Sequence, residues 1–438
     1  AYEWDGTQWV ALGSPIDGLG SFDNTGMSIA LDGDFLAVSA PLHDAAGFNS
    51  GRVTVYEWTG TTWTILGQGI DAQDPGDQFG WDVALDGNRL AISATTTDGN
   101  GIGTNTGEVS VYEWNGTIWG QLGSTLVGEN AGDWSGFSIA LDGNYLAVGE
   151  PYNASSGTST GRVRLYEWNG SNWTPLGLPI YGVNLGDNCG IAVTLAGNRL
   201  AIGANRHRNN IGIAGQVRVY EWNGMAWAQL GNDLDGMGLG ENFGGSVDLE
   251  GSRLVVGARY YDALGTRTGK AYVYHWDGGA WMPHGNALTG KRAGSWLGDA
   301  VALSGDRLIV SAPQHSAQDT FAGEVYVYDL SKDFVEDSIY LTGIALLTAV
   351  ASNADYQWLY CDSAYQPILG ANNQSFSPLI NGRYAVEVTQ GGCVDTSICY
   401  LTSPVGIQAP SGTPLLHIYP NPTSEQLTLD LGRAHQQV

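Results

Sequence analysis

The chain has 438 residues, of which 64 are glycine and only 14% are charged, with a formal net charge of −26. So acidic a composition, with no basic stripe, excludes a nucleic-acid phosphate backbone as partner. The length predicts two or three folded units, and the abundance of glycine suits short strands and tight turns better than long surface helices.

The first element read is a repeat. Tyr2, Tyr56, Tyr112, Tyr166, Tyr220, Tyr274 and Tyr328 follow one another at 54 or 56 residues, most within a Tyr-Glu-Trp or Tyr-His-Trp sequence. Such a period implies stacked supersecondary units. Each unit holds four strand-like runs, as in 79–87, 88–94, 107–114 and 116–123, and no helical periodicity. Six such units predict radially arranged four-stranded blades.

Within the outer hairpin a two-residue loop would set the tyrosine directly opposite the following tryptophan. This pairs Tyr2 with Trp9, Tyr56 with Trp63, Tyr112 with Trp119, Tyr166 with Trp173, Tyr220 with Trp227 and Tyr274 with Trp281. The aromatics are read as inter-blade packing, because alternation leaves Val109 and Val111 on the other face. The glutamates between them (Glu57, Glu113, Glu167, Glu221) have no account from sequence beyond a bond to rim backbone. Recurrent glycines at 33, 87, 143, 197, 251 and 305 mark a second tight turn, either Asp-Gly or Gly-Asn in register.

This pattern resembles the FG-GAP repeats of integrin-alpha-type propellers, through "FG" at 79–80 and 243–244 and "SAP" at 39–41 and 311–313. The resemblance covers about residues 1–330 and implies a β-propeller. Many family members bind calcium in the hairpin between first and second strands. Here that hairpin is cut to Asp86-Gly87-Asn88-Arg89, which keeps one carboxylate where several oxygens are required, so no metal is expected. The last unit lacks its fourth strand, and "GTQWVALG" (6–13) would supply it, giving six blades. A repeat lost upstream would make seven in the parent. The chain begins in mid-repeat without Met and is read as a fragment or mature piece.

Both tight hairpins fall on one side, which leaves the unlike connections 41–50, 95–106, 151–160, 205–214, 259–268 and 313–322 on the other. Unlike loops on a rigid scaffold are where repeat folds host binding. Arg206, His207, Arg208, Arg259, Tyr260, Tyr261 and Arg267 concentrate there and are the candidate ligand-facing residues. Asp77, Asp133, Asp187 and Glu241 recur in turns on the same side, as turn caps or as a carboxylate ring at the channel mouth. No catalytic motif, phosphate loop or cofactor fingerprint is present. Carboxylates are numerous enough for a glycosidase pair, but sequence cannot bring two together.

After residue 331 the beat stops. "YQWLYC" (356–361) and "GRYAVEV" (382–388) followed by a Gly-Gly hairpin resemble a small Ig-like sandwich of secreted bacterial surface proteins, placed at 332–404. If 356–361 pairs antiparallel with 384–389, Cys361–Cys399 is the better disulfide and Cys361–Cys393 the alternative. Clustered cysteines fit an oxidising compartment, whereas Cys189 reads as a buried small side chain. Residues 405–415 form a linker by composition. "YPNPTS" (419–424) at the head of 416–438 resembles the start of a type IX secretion C-terminal sorting domain, truncated here. That resemblance implies export to the surface of a Gram-negative bacterium and recognition by the type IX machinery.

The expectation is therefore an all-β chain: a six-bladed propeller, an Ig-like β-sandwich and an incomplete sorting domain, with no membrane span. The expected function is a non-catalytic scaffold binding an extracellular glycan or protein. The rival is an exported carbohydrate-active enzyme using carboxylates on the loop face.

Overall fold

A computed structural model describes residues 1–5, 8–262, 267–285, 287–314, 323–330, 339–342, 346–349, 351–363, 365–390, 393–397, 399–402, 417–419 and 428–430. The chain divides into two compact units, 1–332 and 333–438.

Unit one is built of antiparallel sheets that repeat one plan. In the second sheet Val83–Asp86, Arg89–Ala94, Glu108–Trp114 and Trp119–Gln121 lie side by side in sequence order, and the two-residue strand Leu126–Val127 also pairs with the third. The first strands Ile29–Asp32, Val83–Asp86, Ile139–Asp142, Ala192–Ala196, Ser246–Glu250 and Val301–Ser304 neighbour one another in succession. This is the arrangement of propeller blades, and the sheets are called blades one to six here.

Alternation dictates how blades meet. The valine face of one blade meets the aromatic face of the next. Val53 and Val55 of blade one share a buried cluster with Leu90, Ile92 and Trp119 of blade two, with Tyr112 and Trp114 against it. Val109 and Val111 meet Leu146, Val148, Tyr166 and Trp173 in the same way.

The outer hairpin differs from the expected register. Trp58 is opposite Trp63, Trp114 opposite Trp119, Trp168 opposite Trp173, Trp222 opposite Trp227 and Trp276 opposite Trp281. Tyr56, Tyr112, Tyr166, Tyr220 and Tyr274 instead face Ile65, Gln121, Pro175, Gln229 and Pro283. Likewise Tyr2 faces Ala11, and Trp4 faces Trp9. The cause is a four-residue loop, fixed in blade two by Asn115, whose Oδ1 accepts the Thr117 and Ile118 amides. Asn169, Asn223 and Asp277 do the same in blades three to five. The shift by two residues keeps every side chain on its face. The tilted Trp–Trp pairs, with centroids 5.6 Å apart for Trp114–Trp119, each add about 0.5–1.5 kcal/mol beyond area burial.

The recurring tryptophans also join blades by hydrogen bonds. Nε1 of Trp63, Trp119, Trp173, Trp227 and Trp281 donates to the carbonyl of Leu12, Leu66, Leu122, Leu176 and Leu230 in the preceding hairpin, at 3.0–3.3 Å. The glutamate of the motif acquires a role as well. Glu113 accepts Arg89 Nε at 3.0 Å and Glu221 accepts Arg199 Nε at 3.1 Å, while Nη1 of each arginine reaches the next blade's Gly143 or Gly251 carbonyl.

The inner turn takes the Gly-Asn register: Asp86 pairs with Arg89, and Gly87 sits at φ 54°. A positive φ at the first loop residue alone is the type II′ arrangement that matches strand twist. Asp86 is not left open, since its Oδ2 accepts the Gly143 amide of blade three at 2.6 Å.

Among the described residues, closure of the last blade by the stretch read at 6–13 is not formed. Trp9–Ala11 pairs with Tyr2–Trp4 in a sheet of its own, and Glu324–Asp329 pairs only with Arg307–Ala312 among the described residues. The hairpin already consists of a third and a fourth strand, and the Leu12 bond to Trp63 seats it before blade one. Ile29 and Leu31 are consequently 64% and 62% exposed, whereas their equivalents Ile139 and Leu141 are 5% and 9% exposed.

In unit two, Ile339–Thr342, Leu346–Ala349 and Ser375–Phe376 make one sheet. Asp355–Tyr360 and Gly382–Gln390 are the centre of another. Both contribute to a core around Trp358, Leu347 and Val386. Cys361 and Cys399 form a disulfide. Cys189, in unit one, is free and buried, and burial pushes its thiol up to about 11. His417–Tyr419 pairs with Thr428–Asp430, while 405–415 lies outside the described residues.

Candidate functional site

The loop rim separates the candidate residues into two groups. On blade four, Arg206 and Arg208 are exposed but His207 is only 7% exposed. His207 is instead turned inward, its Nδ1 3.0 Å from Asp187 Oδ2. That hydrogen bond holds the imidazole above its ordinary pKa despite burial. Burial also works against the Asp187 charge, but His207 and the Asn184 and Val183 amides outweigh it and keep the carboxyl low.

On blade five the loop does assemble a cluster. Two guanidiniums lie over the Tyr260 ring, Arg259 at 4.8 Å and Arg267 at 4.9 Å from its centroid. Trp296, from the turn that opens blade six, meets Tyr260 edge-on at 5.5 Å and also carries Arg259 at 5.8 Å. Arg259 Nη1 donates to Asp299 at 2.7 Å, while its buried Nε has no partner. Tyr261 sits beside this group under Lys270 Nζ at 4.4 Å. Trp296 and Lys270 are members the sequence reading missed. Trp296 has φ 59°, a left-handed conformation that blades one, four and five give to Asn24, Asn188 and Asn242. A bulky residue there is disfavoured and marks a position where the side chain serves more than the backbone. Trp134 holds the same position in blade three and leads a second ring cluster with Trp81, Phe137 and Tyr152.

The turn carboxylates are mostly caps. Asp133 accepts the Asn130 amide at 3.0 Å and Asp187 those of Val183 and Asn184. Glu241 accepts the Tyr272 hydroxyl at 3.2 Å. Each also has a basic group of its own blade nearby: Arg162 for Asp133, His207 for Asp187 and Lys270 for Glu241. Asp77 is different. It lines a cavity of about 480 Å³ together with Asp74, Asp98, Glu108, Thr96 and Thr97, and no lining side chain is basic. Burial, then Asp74, lifts Asp77 to about 6, and burial, then Asp77 and Asp74, lifts Glu108 to about 7. Among the described residues no group of three His, Cys, Asp or Glu is placed to hold a metal ion.

A family model described as FG-GAP repeat matches residues 71–112, 235–274 and 290–328. No curated protein sequence matches the chain. Among solved structures, the β-propeller domain of the Trilobed protease from Pyrococcus furiosus is 8% identical with a TM-score of 0.43, covering 91% of this chain and 100% of that one. A protein from Lactobacillus plantarum is 13% identical at TM-score 0.45, covering 70% and 81%. The acylaminoacyl peptidase of Pyrococcus horikoshii is 9% identical at 0.38, covering 85% and 52%. With its blade-like sheets and the three matched stretches, this chain carries FG-GAP repeats folded as a β-propeller.

Proposed function

We propose that the protein is a non-catalytic binding scaffold whose loop rim at blades five and six takes an anionic group of an extracellular glycan or protein. The observation that carries this reading is the pair of guanidiniums, Arg259 and Arg267, at 4.8 and 4.9 Å from the Tyr260 ring centroid, with Trp296 beside them. Guanidiniums held on aromatic faces keep their N–H forks directed for carboxylate or sulfate, and the rings offer flat apolar area beside them. Glycan-array binding by the full chain tests it. The R259A/R267A double variant should lose at least tenfold in signal toward acidic glycans or acidic protein ligands, and an unchanged profile would refute the assignment.

Export fits the Cys361–Cys399 disulfide, which persists in oxidising compartments. The two-sheet core around Trp358 supports an Ig-like stalk, and "YPNPTS" supports a type IX sorting address. No helix among the described residues is long and apolar enough to cross a membrane. One observation favours the rival, a carbohydrate-active enzyme: Asp77 and Glu108 converge in one cleft of one blade. Polysaccharide hydrolysis that E108Q abolishes would establish that alternative.

A further inference from the structure

The turn that opens each blade has two positions, one residue apart, just ahead of its capping acid. They hold Gln73 and Pro75 in blade two, Glu129 and Ala131 in blade three, and Lys291 and Ala293 in blade six. Blades four and five differ, with Val183 and Leu185 in one and Met237 and Leu239 in the other. All four side chains are open to solvent, 61% and 66% exposed in blade four and 71% and 72% in blade five. The blade-four turn is held in this display by Asp187, whose Oδ2 accepts the Val183 and Asn184 amides at 2.9 and 2.7 Å. Large apolar groups left outside in a cluster mark a contact surface rather than a contribution to the core.

The connection 205–214 ties the two turns together. The Arg206 amide donates to the Asp187 carbonyl of the blade-four turn at 3.3 Å, and Asn209 Nδ2 donates to the Gly236 carbonyl of the blade-five turn at 2.9 Å. Arg208–Asn209 pairs with Gly212–Ile213 in a short hairpin, and Leu239 lies against it, since a Cβ at Gly212 would come within 2.6 Å of Leu239 Cδ1. Arg206 and Arg208 are therefore carried, exposed, on a loop bonded to both apolar turns. Elsewhere Arg52, Arg89, Arg162, Arg199 and Arg253 each meet a carboxylate. Among the described residues Arg206 and Arg208 meet none, although the chain has 44 acidic residues against 18 lysines and arginines.

We propose that this surface of blades four and five binds a protein segment in which acidic residues flank apolar side chains. Methionine and arginine are enriched in protein interfaces, and a braced turn presents its apolar groups without a large ordering cost on binding. The four groups are aliphatic, with no flat ring among them, so they match apolar side chains rather than the face of a sugar. An anionic lipid surface is the poorer fit, because the net charge of −26 repels it while two arginines attract. None of these residues belongs to the Arg259 cluster, so either surface can fail without the other.

Fluorescence anisotropy with the full chain tests this, using a fluorescein-labelled peptide of alternating aspartate and leucine. Control peptides replace aspartate by lysine or leucine by serine, and phosphatidylglycerol vesicles probe the lipid alternative. Saturable binding of the aspartate–leucine peptide, at least tenfold tighter than either control, is expected. L185S/L239S and R206S/R208S should each weaken it at least fivefold while remaining folded by circular dichroism, and R259A/R267A should leave it unchanged. Absence of saturable binding, equal binding of either control, full binding by folded L185S/L239S or R206S/R208S, loss of binding in R259A/R267A, or binding of vesicles alone would overturn the proposal.

Discussion

Blades two and three have the same strands, the same inner turn and the same tryptophan bond to the blade before, yet they resolve buried charge in opposite ways. Blade three encloses a guanidinium, Arg162 at 2% exposed, with Glu150 wholly buried beside it. Blade two has Glu108 in place of Arg162, in the column of the repeat that starts each third strand, and Ala94 in place of Glu150, with a cavity between Glu108 and the turn carboxylate Asp77. The difference teaches that the repeat's backbone does not depend on this column. The scaffold is carried by the valine–tryptophan interfaces, and the loop-rim column is free to take whatever charge a blade's surroundings require.

The largest test of that contrast is R162M. It strands Glu150 with Arg164 as its remaining basic partner and should cost about 3–5 kcal/mol of unfolding free energy in urea titrations. The double variant R162M/E150L should recover most of it, because an apolar pair replaces an ion pair at little net cost. A loss as large in the double variant would mean that the column is structural after all. Next in size, what the blades share should respond alike: W119F and W173F each remove one inter-blade bond and should cost about 1–2 kcal/mol. W9F, at a ring 43% exposed, should lie within about 0.5 kcal/mol of wild type.

The smallest effect sharpens blade two. Glu108 near pH 7 and Asp77 near pH 6 bind protons more tightly folded than unfolded, so their contribution to stability is full below pH 4 and is lost as pH rises through 6 to 7. Thermal midpoints should therefore fall across that window, and E108Q should flatten the fall. The blade-four pair has the opposite sign for its acid: Asp187 is held low, so its share is lost only as pH falls below the ordinary carboxylate range.

Much of this was legible in the chain. The 54-residue beat, four strands per unit and the two-faced packing of valine against aromatic rings follow from spacing and alternation alone. Register at the outer hairpin was not, because loops of two and four residues obey the same parity. The choice rests on whether Asn115 turns its side chain back onto the Thr117 amide. Trp296 was missed because it reaches Tyr260 from the next blade's turn, although a tryptophan where blades one, four and five carry asparagine was a signal. The blade-two cavity was missed although the sign reversal from Arg52 to Glu108 to Arg162 was in plain view. It becomes informative only once the turn carboxylate is known to share its space.

The uncovered Ile29 and Leu31 bear on how this molecule comes apart. A stack held only by nearest-neighbour terms frays from whichever end lacks a lid, because the outermost unit has half the partners of an inner one. Amide exchange should accordingly run faster in Ile29–Asp32 of blade one and Glu324–Asp329 of blade six than in the middle blades, a gradient rather than one shared opening rate.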